Sequence, residues 1–138
     1  MAAKVLDSWA LMALFKGEPA SEAVEALLNK AAHDRVRLLL CVVNWGEIYY
    51  GMLQAGTRAD AESAAEDIAR MPIELVPVDA ANLDLVRQAA LFKATKKMAY
   101  GDCFAAALAR VRKAELLTGD QEFKQVEGDI KVGWLRAP

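Results

Sequence analysis

Four acidic residues that lie far apart in the sequence each follow a short apolar segment or begin the helical segment after it: Asp7, Glu47, Asp102 and Asp120. Two carboxylates about 5 Å apart repel each other by roughly 3 kcal/mol at an effective dielectric constant of 20. Four that met in the fold would therefore require protonation, basic partners or a divalent cation. Oxygen ligands with no histidine or cysteine nearby favour Mg²⁺ or Mn²⁺ over zinc. We expect a site for one of these ions, provided that folding brings the acids together.

The chemistry expected of such a site follows from the ion. A magnesium ion held by a few carboxylates keeps positions open for phosphate oxygens and water. It lowers the pKa of an attacking water and neutralises the charge that develops during the reaction. Phosphodiester hydrolysis uses both effects, and it is the reaction that we predict for the four acids.

Each acid also has a local explanation that involves no chemistry. Asp7 is placed to cap the helix that follows it, and Asn44 and Glu47 have the N-cap and N3 spacing of a capping box. Asp102 and Asp120 would be favoured near helix N-termini by the local positive potential. Only the meeting of all four acids at one place would distinguish a shared site from four separate caps.

The elements that must position the acids alternate between apolar, strand-like runs and amphipathic helices. We predict strands at 4–6, 38–43, 73–78, 115–118 and 130–134. We predict helices at 8–16, 21–32, 44–56, 58–69 and 79–94, a further helix from about 102 to 111, and a helical turn at 122–123. Such alternation is typical of a parallel sheet with helices on both faces. Right-handed crossovers place the carboxyl ends of the strands along one edge, where ligands bind in sheets of this kind.

The predicted fold class is therefore α/β, a three-layer α/β/α sandwich around a five-stranded, mostly parallel sheet. Pro77 lies within the third strand, which indicates an edge position because proline cannot donate to a sheet on both sides. The chain of 138 residues has the size of one domain, and we assign 1–138 to it.

Composition excludes several classes of protein. The 17 Lys+Arg and 19 Asp+Glu give a formal net charge of −2, which excludes binding of nucleic acid mainly through overall positive charge. Hydrophobic residues make up 55% of the chain, which excludes intrinsic disorder. Cys41 and Cys103 have neither metal-ligand nor disulfide spacing. No apolar run is long enough to cross a membrane, so we expect a soluble protein of the cytoplasm with no membrane partner.

A short basic segment precedes the helix that carries the third acid. Lys96 and Lys97 lead into Tyr100. One interpretation is a rim that follows the phosphates of RNA, with the tyrosine ring available to stack on a base. The alternative is an ordinary solvated surface, and the sequence leaves both open.

Four stretches of the chain resemble the signature blocks of the PIN domain. They are VLDSWAL at 5–11, NWGEI at 44–48, YGDCFAAA at 100–107 and LTGDQEF at 117–123. The length and the order of the blocks most resemble the VapC-type toxins of bacterial and archaeal toxin–antitoxin pairs. The resemblance implies a metal-dependent endoribonuclease that is kept silent by a small antitoxin in its cleft, and it implies a homodimer.

The resemblance also implies roles for particular residues. Carried over position by position, the metal-binding catalytic acids are Asp7, Glu47, Asp102 and Asp120. Thr118 matches a hydroxyl that is often found beside those acids and that we group with the substrate-binding residues. Trp9 and Trp45 depart from the family pattern because they are bulkier than the residues expected beside the first two acids. Two interpretations of Glu122 stay open: it forms a local hydrogen bond, or it holds a water molecule that is bound to the metal.

Large apolar side chains exceed what one inward face needs at 9–15 and 48–53. Core packing explains part of this excess. The remainder indicates an exposed apolar groove or dimer contact, which in the terms of the family would receive the antitoxin.

A second class of function stays open beside the nuclease. A PIN-fold protein-binding or scaffold module would keep the acids but act through protein contacts alone. Other phosphate-handling doubly wound domains fit less well, since a haloacid-dehalogenase-type phosphatase requires an acid where Trp9 stands.

Overall fold

A five-stranded sheet lies at the centre of the computed structural model, which describes residues 1–136. The strands are β1 (Ala3–Leu6), β2 (Arg37–Cys41), β3 (Ile73–Val76), β4 (Glu115–Thr118) and β5 (Val132–Trp134). Their order across the sheet is β3-β2-β1-β4-β5, and every neighbouring pair is parallel. The predicted α/β fold is confirmed, and the sheet is parallel throughout. The third strand is at an edge, as predicted, although Pro77 follows the strand and does not lie within it.

Helices cover both faces of this sheet. They are α1 (Ser8–Phe15), α2 (Ser21–Ala32), α3 (Val42–Ala55), α4 (Arg58–Arg70), α5 (Leu83–Thr95) and α6 (Tyr100–Arg112). Two 3₁₀ segments, Ala80–Asn82 and Gln121–Val126, complete the ordered elements. None of the described helices is long and apolar enough to span a membrane.

Alternate residues of the strands pack into two separate cores, because successive side chains of a strand point to opposite faces of the sheet. Leu39 lies in the core beneath α5 and α6, whereas Leu38 and Leu40 lie in the core beneath α1, α2 and α4. Helix α6 is buried along the whole segment from Cys103 to Ala109. This helix therefore holds its first turn firmly at the carboxyl edge of the sheet.

The structure corrects the predicted boundary between the second strand and the helix after it. Val42 and Val43, predicted as strand, form the first turn of α3, and Cys41 is the N-cap. Their β-branched side chains favour strands, but pairing with β3 ends at Cys41, so the backbone is free to turn into a helix. Asn44 therefore lies inside α3, and its interpretation as the N-cap of a capping box is wrong.

Smaller boundary differences include those of the third strand, the fifth strand and the fifth helix. The third strand ends at Val76, before Pro77, and the fifth strand begins at Val132. The helix predicted from residue 79 is preceded by a 3₁₀ turn that Asp79 caps, since its side chain accepts from the amide of Ala81. None of these differences moves an acid away from the carboxyl edge.

Candidate active site

Asp7 is the most deeply buried acid, with 1% of its surface exposed at the end of β1. Its Oδ1 accepts a hydrogen bond from the amide of Ala10 at 2.9 Å and so caps α1. Its Oδ2 accepts a hydrogen bond from the hydroxyl of Thr118, at the end of β4. One oxygen of Asp7 therefore caps the helix, as the local explanation predicts, while the other faces the neighbouring strand.

Thr118 links the first acid to the fourth. Besides donating to Asp7, its Oγ1 accepts from the amide of Asp120 at 3.0 Å. Oδ1 of Asp120 in turn accepts from the amide of Glu122 at 3.0 Å and caps the 3₁₀ segment. A fully buried hydroxyl thus sets the path of the chain that carries the last two acids.

Three carboxylates lie close enough to share a cation. Oxygens of Asp102, Asp120 and Glu122 all lie within 4.8 Å of one another. Asp102 belongs to the first turn of α6, and the other two come from the end of β4 and the 3₁₀ segment after it. The sequence leaves the role of Glu122 open. The signal that favours its place in this group is its position two residues after Asp120, the acid that caps the 3₁₀ segment.

Glu47 enters the site from α3, and a buried amide orients it. Nδ2 of Asn44 donates to Oε1 of Glu47 at 2.8 Å and to the carbonyl oxygen of Gly101 at 3.0 Å. Oδ1 of Asn44 is buried and accepts no hydrogen bond from the described residues. A Cβ at position 101 would lie 2.2 Å from Oε2 of Glu47, so glycine is needed there for the carboxylate to lie against α6.

The acids act on one another electrostatically. The pKa of Asp7 is raised from 3.8 to about 7, first by burial and also by the charges of Asp102 and Asp120, against hydrogen bonds from Thr118 and Ala10 that lower it. Loss of the proton from Asp7 is therefore opposed by desolvation and by like charge.

The pKa of Asp102 is also raised to about 7, first by burial and then by the charges of Glu47, Asp120 and Glu122. The four predicted acids are therefore electrostatically coupled, and Glu122 joins them.

The donor set at this edge fits Mg²⁺ or Mn²⁺. All the ligand atoms that converge are carboxylate oxygens, and in the described part of the chain no histidine or cysteine side chain belongs to the group. Burial is the main cause of the two raised pKa values, and a divalent cation would offset both the desolvation of the charged acids and the repulsion between them. Oδ1 of Asn44, on the side chain that donates to Glu47, is a further buried acceptor that has no donor among the described residues.

Besides Thr118, the three other predicted substrate-binding residues have different surroundings. Nζ of Lys96 lies 3.3 Å from Oδ2 of Asp129, which also contacts Arg110 in the last turn of α6. Its charge is therefore compensated near the end of that helix opposite to Asp102. The backbone amide of Lys97 donates to Gln125 at 2.8 Å, which ties this segment to the 3₁₀ segment that carries Glu122. Tyr100 is 45% exposed in the first turn of α6.

The two tryptophans that depart from the family pattern shape the rim differently. The ring of Trp9 lies directly on Gly119, where a Cβ would come within 2.2 Å of it, so it packs between the first and the fourth acid. Trp45 instead stacks on Tyr49, with 5.6 Å between the ring centroids. Exposed apolar side chains follow along α3, at Tyr50 and Leu53, whereas those at 9–15 are buried or half-buried.

Comparison with known families gives one match over nearly the whole chain. The family model described as PIN domain matches residues 4–129. A comparison with curated proteins gives no match.

Solved structures of similar fold include toxin–antitoxin complexes and a toxin. VapBC2 from Rickettsia felis, bound to a DNA fragment from its promoter, has 14% identity and a TM-score of 0.73, with 97% of this chain and 99% of that chain covered. VapBC-5 from Mycobacterium tuberculosis has 27% identity and a TM-score of 0.64, with 99% and 100% covered. VapC20 from the same organism, a toxin that cleaves the sarcin–ricin loop, has 16% identity and a TM-score of 0.71, with 89% and 94% covered.

Proposed function

The chain belongs to the PIN domain family, and from that premise we propose that it is a Mg²⁺- or Mn²⁺-dependent endoribonuclease, the toxin of a toxin–antitoxin pair. The observation that carries the proposal is the group formed by Asp102, Asp120 and Glu122, with Asp7 and Glu47 coupled to it. We assign 1–138 to a single PIN-like nuclease domain.

The residues divide into those that hold the ion and those that hold the acids. We assign the ion to Asp7, Glu47, Asp102 and Asp120, with Glu122 beside them. When bound, the ion would activate water and neutralise charge on the phosphate that is cut. Thr118 keeps Asp7 and Asp120 at a fixed separation through its two hydrogen bonds.

Burial distinguishes Asp7 and Asp102 from exposed carboxylates, because it raises their pKa values. Their pKa values of about 7 mean that without a cation each is about half-protonated at neutral pH. Asp7 and Asp102 would give up those protons if they held a cation, and a bound cation would supply positive charge for the substrate phosphate.

The partners follow from the family and from the neighbouring structures. RNA is the proposed substrate, because one protein of the same fold cleaves the sarcin–ricin loop. A small antitoxin is the proposed inhibitor, because VapBC2 and VapBC-5 are toxin–antitoxin systems. The exposed side chains of Tyr50 and Leu53 on α3 supply an apolar surface for this antitoxin or for the second copy of a homodimer. A toxin that cuts RNA would act in the cytoplasm.

The test is cleavage of RNA by the purified protein with and without divalent ions. Wild type should cut in Mg²⁺ or Mn²⁺ and stop in excess chelator. Asp102→Asn should abolish cutting, because it removes the acid that couples most closely to the other carboxylates. Asp84→Asn is the matched control: Asp84 is an exposed acid that pairs with Arg87 on the surface of α5, and its loss should change nothing.

Calorimetry with Mn²⁺ separates the nuclease from a protein-binding module. A nuclease site should give stoichiometric heat that Asp102→Asn removes. If wild type neither binds Mn²⁺ nor cuts RNA, the nuclease proposal is wrong and a scaffold that works by protein contacts is the remaining function. Equal cleavage by wild type and by Asp102→Asn would mean that a contaminant cuts the RNA.

A further inference from the structure

A cavity of about 200 Å³ lies beside the acidic group on its β5 side, lined by Gln121, Lys124, Trp134, Leu135 and Arg136. We propose that this cavity is a binding subsite for single-stranded RNA, in which Lys124 and Arg136 contact phosphates and Trp134 stacks on a base next to the bond that is cut. The proposal rests on the proposed nuclease function, and it adds residues that neither the motifs nor the acidic group include.

The cavity is joined to the acids through the backbone. Trp134 is the register partner of Thr118, and the amide of Leu135 donates to the carbonyl oxygen of Thr118 at 2.8 Å. Gln121, on the other wall, directly follows Asp120. Both walls therefore begin at residues that build the acidic site, so RNA held in the cavity would pass next to the acids.

The two cations of the cavity are available for phosphate. Within residues 1–136, neither Lys124 nor Arg136 forms an ion pair, and both residues are exposed. The ammonium of Lys96, by contrast, is held by Asp129. An acidic site that must attract RNA requires uncompensated positive charge close by, and this cavity supplies two such charges.

Trp134 provides an aromatic surface that is already anchored. The residue is half-buried, packs against the core beneath α6, and its indole nitrogen lies 3.4 Å from Oε2 of Glu127, to which it donates. A ring held in this way loses little freedom when a base stacks on it. Stacking is tolerant of base identity, because every base has a π-face.

The charge experiment compares two pairs of cations. Binding of a labelled single-stranded oligoribonucleotide is followed by anisotropy in chelator, so that nothing is cut. Lys124→Gln with Arg136→Gln should weaken binding about tenfold and reduce the slope of log K against log salt by roughly 1.4, or 0.7 for each lost contact. The control is Lys30→Gln with Arg35→Gln, which line a cavity near the start of β2 and make the same change in net charge. The control should leave both quantities unchanged.

The stacking experiment uses two replacements of Trp134. Trp134→Leu should weaken binding by roughly 5- to 150-fold, since stacking on an aromatic side chain contributes about that much for one base. Trp134→Phe keeps a ring and should bind within a few-fold of wild type. Thermal melting of each variant checks that β5 still forms, and the comparison rests on the variants that melt like wild type.

The outcomes separate this inference from the nuclease proposal. If the Lys124 and Arg136 pair weakens binding and the control does not, the subsite holds even if no cleavage is ever seen. If wild type cuts RNA but both double variants bind RNA as tightly as wild type does, the subsite proposal is wrong and the nuclease proposal stands. Equal losses in both pairs would reduce the effect to overall charge and overturn it. Binding of an acidic peptide, with no binding of RNA, would also overturn it.

Discussion

Asn44 donates a hydrogen bond from Nδ2 to Oε1 of Glu47, at 2.8 Å, from within the same helix. The same amide donates to the carbonyl of Gly101, so one buried side chain aligns a candidate ligand and ties α3 to α6. Groups that orient metal ligands in this way influence affinity nearly as much as some ligands do. This relationship makes Asn44 a positioning residue.

Asn44→Ala should therefore lower both stability and metal affinity. We expect a loss of about 1–3 kcal/mol of unfolding free energy, because the Gly101 carbonyl loses its side-chain donor. Affinity for Mn²⁺ should fall about 10- to 100-fold. Denaturant titration measures the unfolding free energy and calorimetry measures the Mn²⁺ affinity. The control is Asn29→Ala, on the exposed surface of α2. A loss of stability with unchanged Mn²⁺ affinity would reduce Asn44 to a purely structural role.

Two glycines form a matched pair for testing the position of Glu47. Gly101→Ala would place a Cβ 2.2 Å from the carboxylate of Glu47 and would displace that carboxylate. The cleavage rate should fall by up to about 100-fold, which is the effect of a misplacement of about 1 Å in an active site. Gly46→Ala, in α3, meets nothing within 4 Å and should add about 0.5–1 kcal/mol of stability. Initial rates and melting curves measure both. Full activity in Gly101→Ala would show that the displaced position of Glu47 does not matter.

Glu122→Gln tests whether this exposed acid belongs to the ion site. Removing its charge should weaken Mn²⁺ binding roughly tenfold, because affinity follows the number of charged ligands. The pKa of Asp102 should fall, since both the charge of Glu122 and its hydrogen bond raise it. Calorimetry at two pH values measures both effects, and Glu66→Gln on exposed α4 surface is the control. Identical Mn²⁺ binding by wild type and Glu122→Gln would place Glu122 outside the site.

The ion-free protein should lose stability as the pH rises from about 4 to about 7. The pKa of Asp7 is raised from 3.8 to about 7 in the folded chain, so over this range the folded state keeps a proton that the unfolded state releases. The folded state then binds more protons than the unfolded state, and the unfolding free energy decreases with pH. Melting temperatures in chelator, from pH 5 to pH 8, measure the decrease.

A variant and an added ion test the cause of that pH dependence. Asp7→Asn keeps an oxygen to accept from Ala10, so it should melt higher than wild type at pH 8 in chelator and show a smaller decrease. Mn²⁺ should raise the melting temperature of wild type more at pH 8 than at pH 5, because protons compete for the carboxylates at the lower pH. A pH profile of Asp7→Asn that matches wild type would assign the decrease to other groups.

Prediction from sequence was most successful where one local pattern decides one local structure. The strand at 115–118 and the helix at 21–32 have the boundaries that were predicted. It was less successful at Val42 and Val43, whose propensity for strands was overridden by the end of pairing with β3. The same strand pattern predicts a cap at Asn44, whereas Asn44 is a buried helical residue that donates to Glu47.

What the sequence by itself determined is the edge at which the acids meet. Alternating strands and helices enforce a parallel sheet, and Asp7 and Asp120 follow strands whose carboxyl ends must then lie side by side. Only the tertiary structure decided which side chains complete that edge. Glu122 joins the acids, Lys96 is paired with Asp129, and Trp134 comes beside Thr118. These contacts depend on helix orientation and on pairing between distant segments, which no local pattern of residues specifies.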